Sequence, residues 1–256
     1  MKKLLIIFFC LPLIGLGQST YNVEHSYSKG LYKYLIADNV NVRSGPSINN
    51  TIVANIPIGT RLKIIEETNY LYTYNNINFP WYKVSFFQGN RETTGYVVGS
   101  FIAEESSEPF EINNTIFLAG LYEYYQDGSM KYQIRVVQDN KEIDKIEFYA
   151  YPSDDFRFNV YRNYNMNLDV IIIQFIEASC AIQLNERTFF FDNNKLYHIR
   201  TFSNTDLKTL GYSRGKVQLY EWKWIPSDIG YEMEGGYYNK EFIKEYIWDG
   251  SRLIRN

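Results

Sequence analysis

Residues 39–60 read NVNVRSGPSINNTIVANIPIGT, and the fold of the first third of the chain follows from them. Val40 and Val42 alternate with Asn41 and Arg43, and Ile52, Ala54 and Ile56 repeat the alternation after the turn Ser44-Gly45-Pro46-Ser47. A period of two is the signature of a half-buried strand. Between the strands, Pro46 fixes its φ and Gly45 accepts backbone geometry closed to other residues, so the chain reverses. A second turn, Pro57-Ile58-Gly59-Thr60, leads into the alternating run Arg61-Leu62-Lys63-Ile64-Ile65. Working outward, short runs of the same kind occupy residues 34–37, 40–43, 52–56, 61–66, 81–86 and 94–98. Such spacing predicts a small all-β barrel and excludes βαβ units, which need long crossover helices.

Four pieces follow one another along the chain: Val40-Asn41-Val42-Arg43-Ser44-Gly45-Pro46-Ser47, the Gly59-Thr60 pair, Trp81-Tyr82-Lys83-Val84 and Gly95-Tyr96-Val97. In that combination residues 33–103 resemble a bacterial SH3-like domain. The guanidinium of Arg43 is expected to hold the carbonyls of the turn, because its fork satisfies several acceptors at once. Trp81 is expected across the barrel mouth, Gly95 at a close approach of the last strands, and Ser100-Phe101-Ile102 in a closing 3₁₀ turn. Two segments exceed the family pattern: ETNYLYTYNNINFP at 67–80 and SFFQGNRETT at 85–94. The resemblance implies a module that accompanies cell-wall enzymes or targets the envelope, with peptidoglycan or an envelope protein as partner. A sugar or peptide groove needs flat aromatic platforms with polar rims. Tyr72, Tyr74, Trp81 and Tyr96 are the expected ligand-binding residues, drawn from a set that also holds Tyr70 and Phe79.

The chain begins Met1-Lys2-Lys3, continues with an apolar run and reaches Gly15 and Gly17 before Gln18. This predicts a signal peptide over residues 1–17 and an exported, soluble product, periplasmic or extracellular. Cys10 lies inside the apolar run behind Phe8-Phe9, unlike a lipid-modified cysteine. Removing Lys2 and Lys3 moves the formal net charge from −3 to −5 and leaves Cys180 as the one cysteine, so no internal disulfide forms. The acidic balance excludes the basic stripe of a nucleic-acid binder. After Gln18 no apolar run reaches bilayer length, so the mature chain is expected to have no membrane span.

Residues 18–32 read as a flexible lead-in and 104–109, EESSEP, as a linker. Residues 110–256 form the larger domain. The 24 Tyr and 17 Phe favour pleated, half-buried surfaces. Hairpin turns are expected at Asp127-Gly128, Asn193-Asn194 and Asp249-Gly250, whose residues tolerate positive φ. Further strands are expected near 145–151, 155–161, 170–183 and 217–225, and residues 239–246 read as strand in preference to helix. The predicted class is all-β: a small SH3-like barrel followed by a larger, mostly antiparallel sheet or sandwich.

Catalytic apparatus is the next question. Cys180 sits mid-strand in an apolar run, His25 falls in the lead-in and His198 lies in Leu196-Tyr197-His198-Ile199, so none has the setting of an activated nucleophile or its base. Two histidines and one cysteine lack zinc-ligand spacing. Asp154-Asp155 and Asp127-Gly128 lack the alternating acidic ladder of a calcium loop. Glu232 and Glu234 share a strand face, which matches a solvated surface better than a glycosidase pair. The expectation is a non-catalytic envelope binding protein without cofactors. The alternatives are an inhibitor or protective protein against a secreted hydrolase, and a cell-wall enzyme with an unrecognised site in its C-terminal domain.

Overall fold

A computed structural model describes residues 20–23, 26–109, 114–150, 155–163, 168–177, 183–202, 208–213, 216–226 and 236–255. Apart from turns, short connecting segments and one 3₁₀ turn at Gly99–Phe101, these residues are β-strand.

The barrel uses β2 (Tyr32–Tyr34), β3 (Val40–Arg43), β4 (Ile52–Ile56), β5 (Arg61–Tyr74), β6 (Ile77–Gln88) and β7 (Arg91–Val98), paired in the order β2-β5-β6-β7-β3-β4. Alternate residues point inward, and Val40, Val42, Ala54, Ile56, Leu62, Ile64, Tyr82, Val84, Phe86 and Val97 form one core. The barrel closes through Leu35 and Ile102, which bridge, and through Ala103, whose N–H donates to the Tyr34 carbonyl at 2.8 Å. Gly95 is required by space: a Cβ there would lie 2.4 Å from Val42 Cγ1 and 2.9 Å from the Arg43 carbonyl.

Residues 67–80 lengthen the β5–β6 hairpin into an arm. Its tip, Asn75-Asn76, has φ of 48° and 64°, the left-handed pair that a two-residue hairpin turn needs. Asn75 Nδ2 donates to the Tyr122 carbonyl at 3.0 Å and Asn76 Nδ2 to the Tyr124 carbonyl at 3.2 Å, docking the arm on the C-terminal region.

That region is three antiparallel four-stranded sheets in succession. The first pairs β11 (Lys141–Ala150), β10 (Met130–Gln138), β9 (Thr115–Tyr124) and β8 (Glu105–Ser106). The second runs β12 (Asp155–Asn163), β13 (Leu168–Glu177), β14 (Gln183–Asp192) and β15 (Lys195–Phe202). The third runs β16 (Lys208–Ser213), β17 (Lys216–Pro226), β18 (Gly236–Trp248) and β19 (Leu253–Arg255). Side-chain alternation passes the core from layer to layer. On β9, Ile116 and Leu118 meet Tyr34, Ile36 and Ile58 of the barrel, whereas Phe117 and Leu121 face the other way, into a junction core shared with Ile171, Ile173, Phe189 and Phe191. On β14, Phe190 turns from Phe189 and Phe191 to join Val217 and Leu219 of the third sheet. Strands buried on both faces lose the polar half of their pattern, which is why 116–121 and 189–191 read as unbroken apolar runs.

Four expectations change. The lead-in is tied down where β1 (Tyr21–Asn22) pairs parallel to Ile77 and Asn78 and where Tyr27 enters the barrel core, because its aromatic rings find apolar cover. The 104–109 segment carries β8, whose Glu105 and Ser106 pair with Ala119 and Leu118, so its backbone groups are satisfied in a sheet. Gly45 does not adopt positive φ; a Cβ there would lie 2.7 Å from the Asn50 side chain, so room is what it supplies. Trp81 leaves the barrel mouth for the junction core, since it is out of phase with Tyr82, Val84 and Phe86. The three expected hairpin turns are present: Asn193 and Asn194 have φ of 49° and 61°, and Gly128 and Gly250 have 86° and 93°.

Candidate functional site

The turn after β3 is built by its own residues. Arg43 Nη1 donates to the Asn50 carbonyl at 2.8 Å, as expected of this side chain. The Ser44 N–H donates to the Thr51 carbonyl at 2.9 Å, and the Asn49 N–H to Ser47 Oγ at 3.2 Å. So braced, the turn holds Ile48 outward, 53 % exposed, although it is aliphatic.

Facing it is the extended half of β5. A register shift between Glu67 and Leu71 twists the strand there and presents Tyr70 and Leu71, both exposed, with Tyr72 beside them. Between turn and strand lies a groove in two connected parts. The deeper part, about 220 Å³, is lined by Asp38, Asn39, Asn41, Tyr72, Trp81 and Phe101 among others. The outer part, about 520 Å³, adds Pro46, Ser47, Asn50, Tyr70 and Leu71. Ile48, Tyr72 and Trp81 border both.

Trp81 is the floor. Only 3 % of it is exposed, and the Tyr72 ring meets it edge to face with centroids 6.2 Å apart. One end carries polar groups. Asp38 accepts from Asn39 Nδ2 at 3.0 Å and from the Ile58 N–H at 3.2 Å. Asn55 Nδ2 donates to the Asn39 carbonyl and to Asn41 Oδ1, at 2.8 and 3.1 Å. The result is a cleft in which half-buried Tyr72 and exposed Tyr70 offer ring faces over the buried Trp81, beside a fixed amide and carboxylate edge that can bond amides or hydroxyls.

Of the four expected ligand residues, the structure brings Tyr72 and Trp81 together. Tyr74 turns away, its ring edge to face on Phe101 at 5.7 Å, and burial pushes its phenol above the ordinary value. Tyr96 packs partly buried against the junction core and does not border the groove. Phe79 is buried in that same core. Ile48 was missed; its signal is a lone aliphatic residue in the polar turn Ser47-Ile48-Asn49-Asn50.

Of the residues weighed for catalysis or metal binding, His198 and Asp127 are described, and neither borders the groove. His198 is exposed and its ring stacks on Phe189 at 5.0 Å. Asp127 Oδ1 accepts from the Ser129 hydroxyl and N–H at 2.7 and 2.9 Å, bonds that hold its carboxyl below the usual range and close its own turn. Cys180, His25, Asp154, Glu232 and Glu234 lie outside the described residues. Among the described residues no group of three His, Cys, Asp or Glu is placed to hold a metal ion, and no helix is long and apolar enough to cross a membrane.

Residues 38–103 match the family model of the bacterial SH3 domain. The Arg43-braced turn and the closing 3₁₀ turn agree with the expectations drawn from that resemblance. Neither the curated proteins nor the solved structures contain a match to the chain.

Proposed function

We propose that the protein is a non-catalytic, exported envelope protein that holds cell-wall glycopeptide in the groove between the Arg43-braced turn and the β5 arm. The observation that carries this reading is the convergence of Tyr72 and Trp81 beneath exposed Ile48, Tyr70 and Leu71. An apolar sugar face or a short peptide stem stacks on the aromatic side. Asp38, Asn39 and Asn41 offer acceptors and donors to its amides and hydroxyls. The groove is preorganised, because one wall is a hydrogen-bonded turn and the other a hairpin pinned at its tip, and preorganisation lowers the cost of binding. A binding role is what a bacterial SH3 domain suggests. The non-catalytic reading is supported by His198, whose ring is stacked on Phe189.

The test is co-sedimentation with purified peptidoglycan sacculi. The chain is expected to be retained, and Tyr72→Ala and Ile48→Asp to weaken retention by about tenfold, as for loss of a central aromatic or aliphatic anchor. Failure of the unaltered chain to sediment, or undiminished binding by both variants, would refute the proposal.

A further inference from the structure

A second groove, of about 760 Å³, lies on another face of the barrel and shares no bordering residue with the first. Its base is the outward face of β2, β5 and β6. Tyr32 pairs with Lys63, and Lys63 pairs with Ser85, so Arg61 and Phe87, each two residues on, project from the same face. Its far wall is the 57–60 turn, fixed by the Gly59 N–H on the Leu35 carbonyl at 2.8 Å and by Asn140 Nδ2 on the Ile58 carbonyl at 2.9 Å. The wall therefore joins the barrel to the first C-terminal sheet and is rigid.

The chemistry of this groove differs from that of the chain around it. The chain is acidic, with formal net charge −3, yet Arg61 and Lys63 are exposed here, and among the described residues neither is in an ion pair. The Arg61 guanidinium lies over the Tyr32 ring, 4.2 Å from its centroid, which orients the fork before any ligand arrives. Phe87 is 66 % exposed beside these cations. Glu92, which pairs with Phe87 across β6 and β7, places one negative charge at the margin.

We propose that this groove docks an extended acidic segment of a partner protein, with two carboxylates one residue apart. Arg61 and Lys63 are two positions apart on a strand, so their stems start roughly 6.6 Å apart, the same interval that separates alternate side chains of an extended peptide. A carboxylate meets the Arg61 fork through two parallel bonds, and the next acidic residue on that face reaches Lys63. An apolar side chain beside the pair covers Phe87. Glu92 repels a uniform polyanion and so selects a segment with limited, spaced charge over nucleic acid or an acidic polysaccharide. The inference does not depend on the glycopeptide groove.

Fluorescence polarisation with the purified chain tests it, using a labelled peptide of Gly-Leu-Gly-Glu-Gly-Glu-Gly flanked by Ser, in which Leu and both Glu share one face when extended, and its Gln-for-Glu counterpart. The Glu peptide is expected to bind at low salt and to weaken as salt rises. The Gln peptide and the double variant Arg61→Gln with Lys63→Gln are each expected to lose at least about tenfold in affinity. Both substituted positions are exposed, so the thermal midpoint should stay unchanged, and Tyr72→Ala should leave this binding intact. No binding of the Glu peptide, equal binding of the Gln peptide, an unaffected double variant, or polygalacturonate binding tighter than the peptide would each overturn the proposal.

Discussion

Trp81 and Tyr82 are consecutive residues whose rings lie in different cores. Trp81 joins the junction core with Phe117 and Phe189, whereas Tyr82 joins the barrel core with Val42 and Ile64. One strand thus serves two layers through its opposite faces. Trp81→Ala should cost about 3–5 kcal/mol, because it removes a large buried ring. Tyr82→Phe keeps the ring and loses a hydroxyl that donates to Glu67 Oε2 at 2.9 Å, a cost of about 1 kcal/mol. Urea unfolding of both variants checks this, and equal costs would contradict the separate packing of the two rings.

The arm tip separates turn geometry from docking. Asn76→Gly retains the left-handed backbone and loses the bond to the Tyr124 carbonyl, whereas Asn76→Ala loses both, so Ala should be the more destabilising by about 1 kcal/mol. Hydrogen exchange at the Tyr124 N–H, which donates to the Asn75 carbonyl at 3.2 Å, should quicken in both variants. Unchanged exchange would mean that the tip does not anchor the arm.

Gly45 and Gly95 should differ in whether a second change rescues them. In Gly45→Ala the three atoms nearest the new Cβ all belong to the Asn50 side chain, so adding Asn50→Ala should restore most of the loss, and Arg43 keeps its bond because that bond is to the Asn50 backbone carbonyl. Gly95→Ala meets the Arg43 backbone carbonyl as well as Val42, so adding Val42→Ala should leave it destabilised by about 1–3 kcal/mol or more. Full rescue of Gly95→Ala by Val42→Ala in thermal unfolding would refute this account of the close approach.

Alkaline pH should unfold the protein through its buried phenols. Burial pushes Tyr27, Tyr82 and Tyr132 above the ordinary phenol value, with the bond to Glu67 adding to the effect at Tyr82. A group whose folded pKa is raised contributes stability that is complete below its unfolded pKa, about 10, and that is lost as pH climbs towards the folded value. Stability should therefore fall above about pH 10. A fraction of the tyrosines should gain phenolate absorbance only with unfolding, and ionisation of all of them ahead of the loss of circular dichroism would contradict this.

Local chemistry was readable residue by residue. Asp127-Gly128, Asn193-Asn194 and Asp249-Gly250 stand where hairpins turn, and Arg43 braces the turn whose carbonyls it was expected to hold. Asn75-Asn76 carried the same signal as Asn193-Asn194, yet within a segment longer than the family pattern it did not disclose where the hairpin it closes would dock. Of the groove, Tyr72 and Trp81 were legible as aromatic candidates. Tyr74 and Tyr96 are tyrosines on the same kind of alternating strand, but Tyr74 packs on Phe101 and Tyr96 against the junction core.

By itself the sequence determined that the chain is β-rich, where three of its C-terminal hairpin turns fall and that residues 33–103 resemble an SH3-like barrel. The strands and turns follow from period-two alternation and from residues that tolerate unusual φ, both of which act over a few positions; the SH3-like assignment rests on the resemblance of residues 40–47, 59–60, 81–84 and 95–97, in that order, to the family. The tertiary structure alone decided which layer each strand face joins, that the arm reaches the C-terminal sheet and that the groove forms between turn and arm. Alternation separates two faces of a strand without saying what covers either. The cover comes from contacts such as Asn75 with Tyr122, 47 residues apart, which no local pattern encodes.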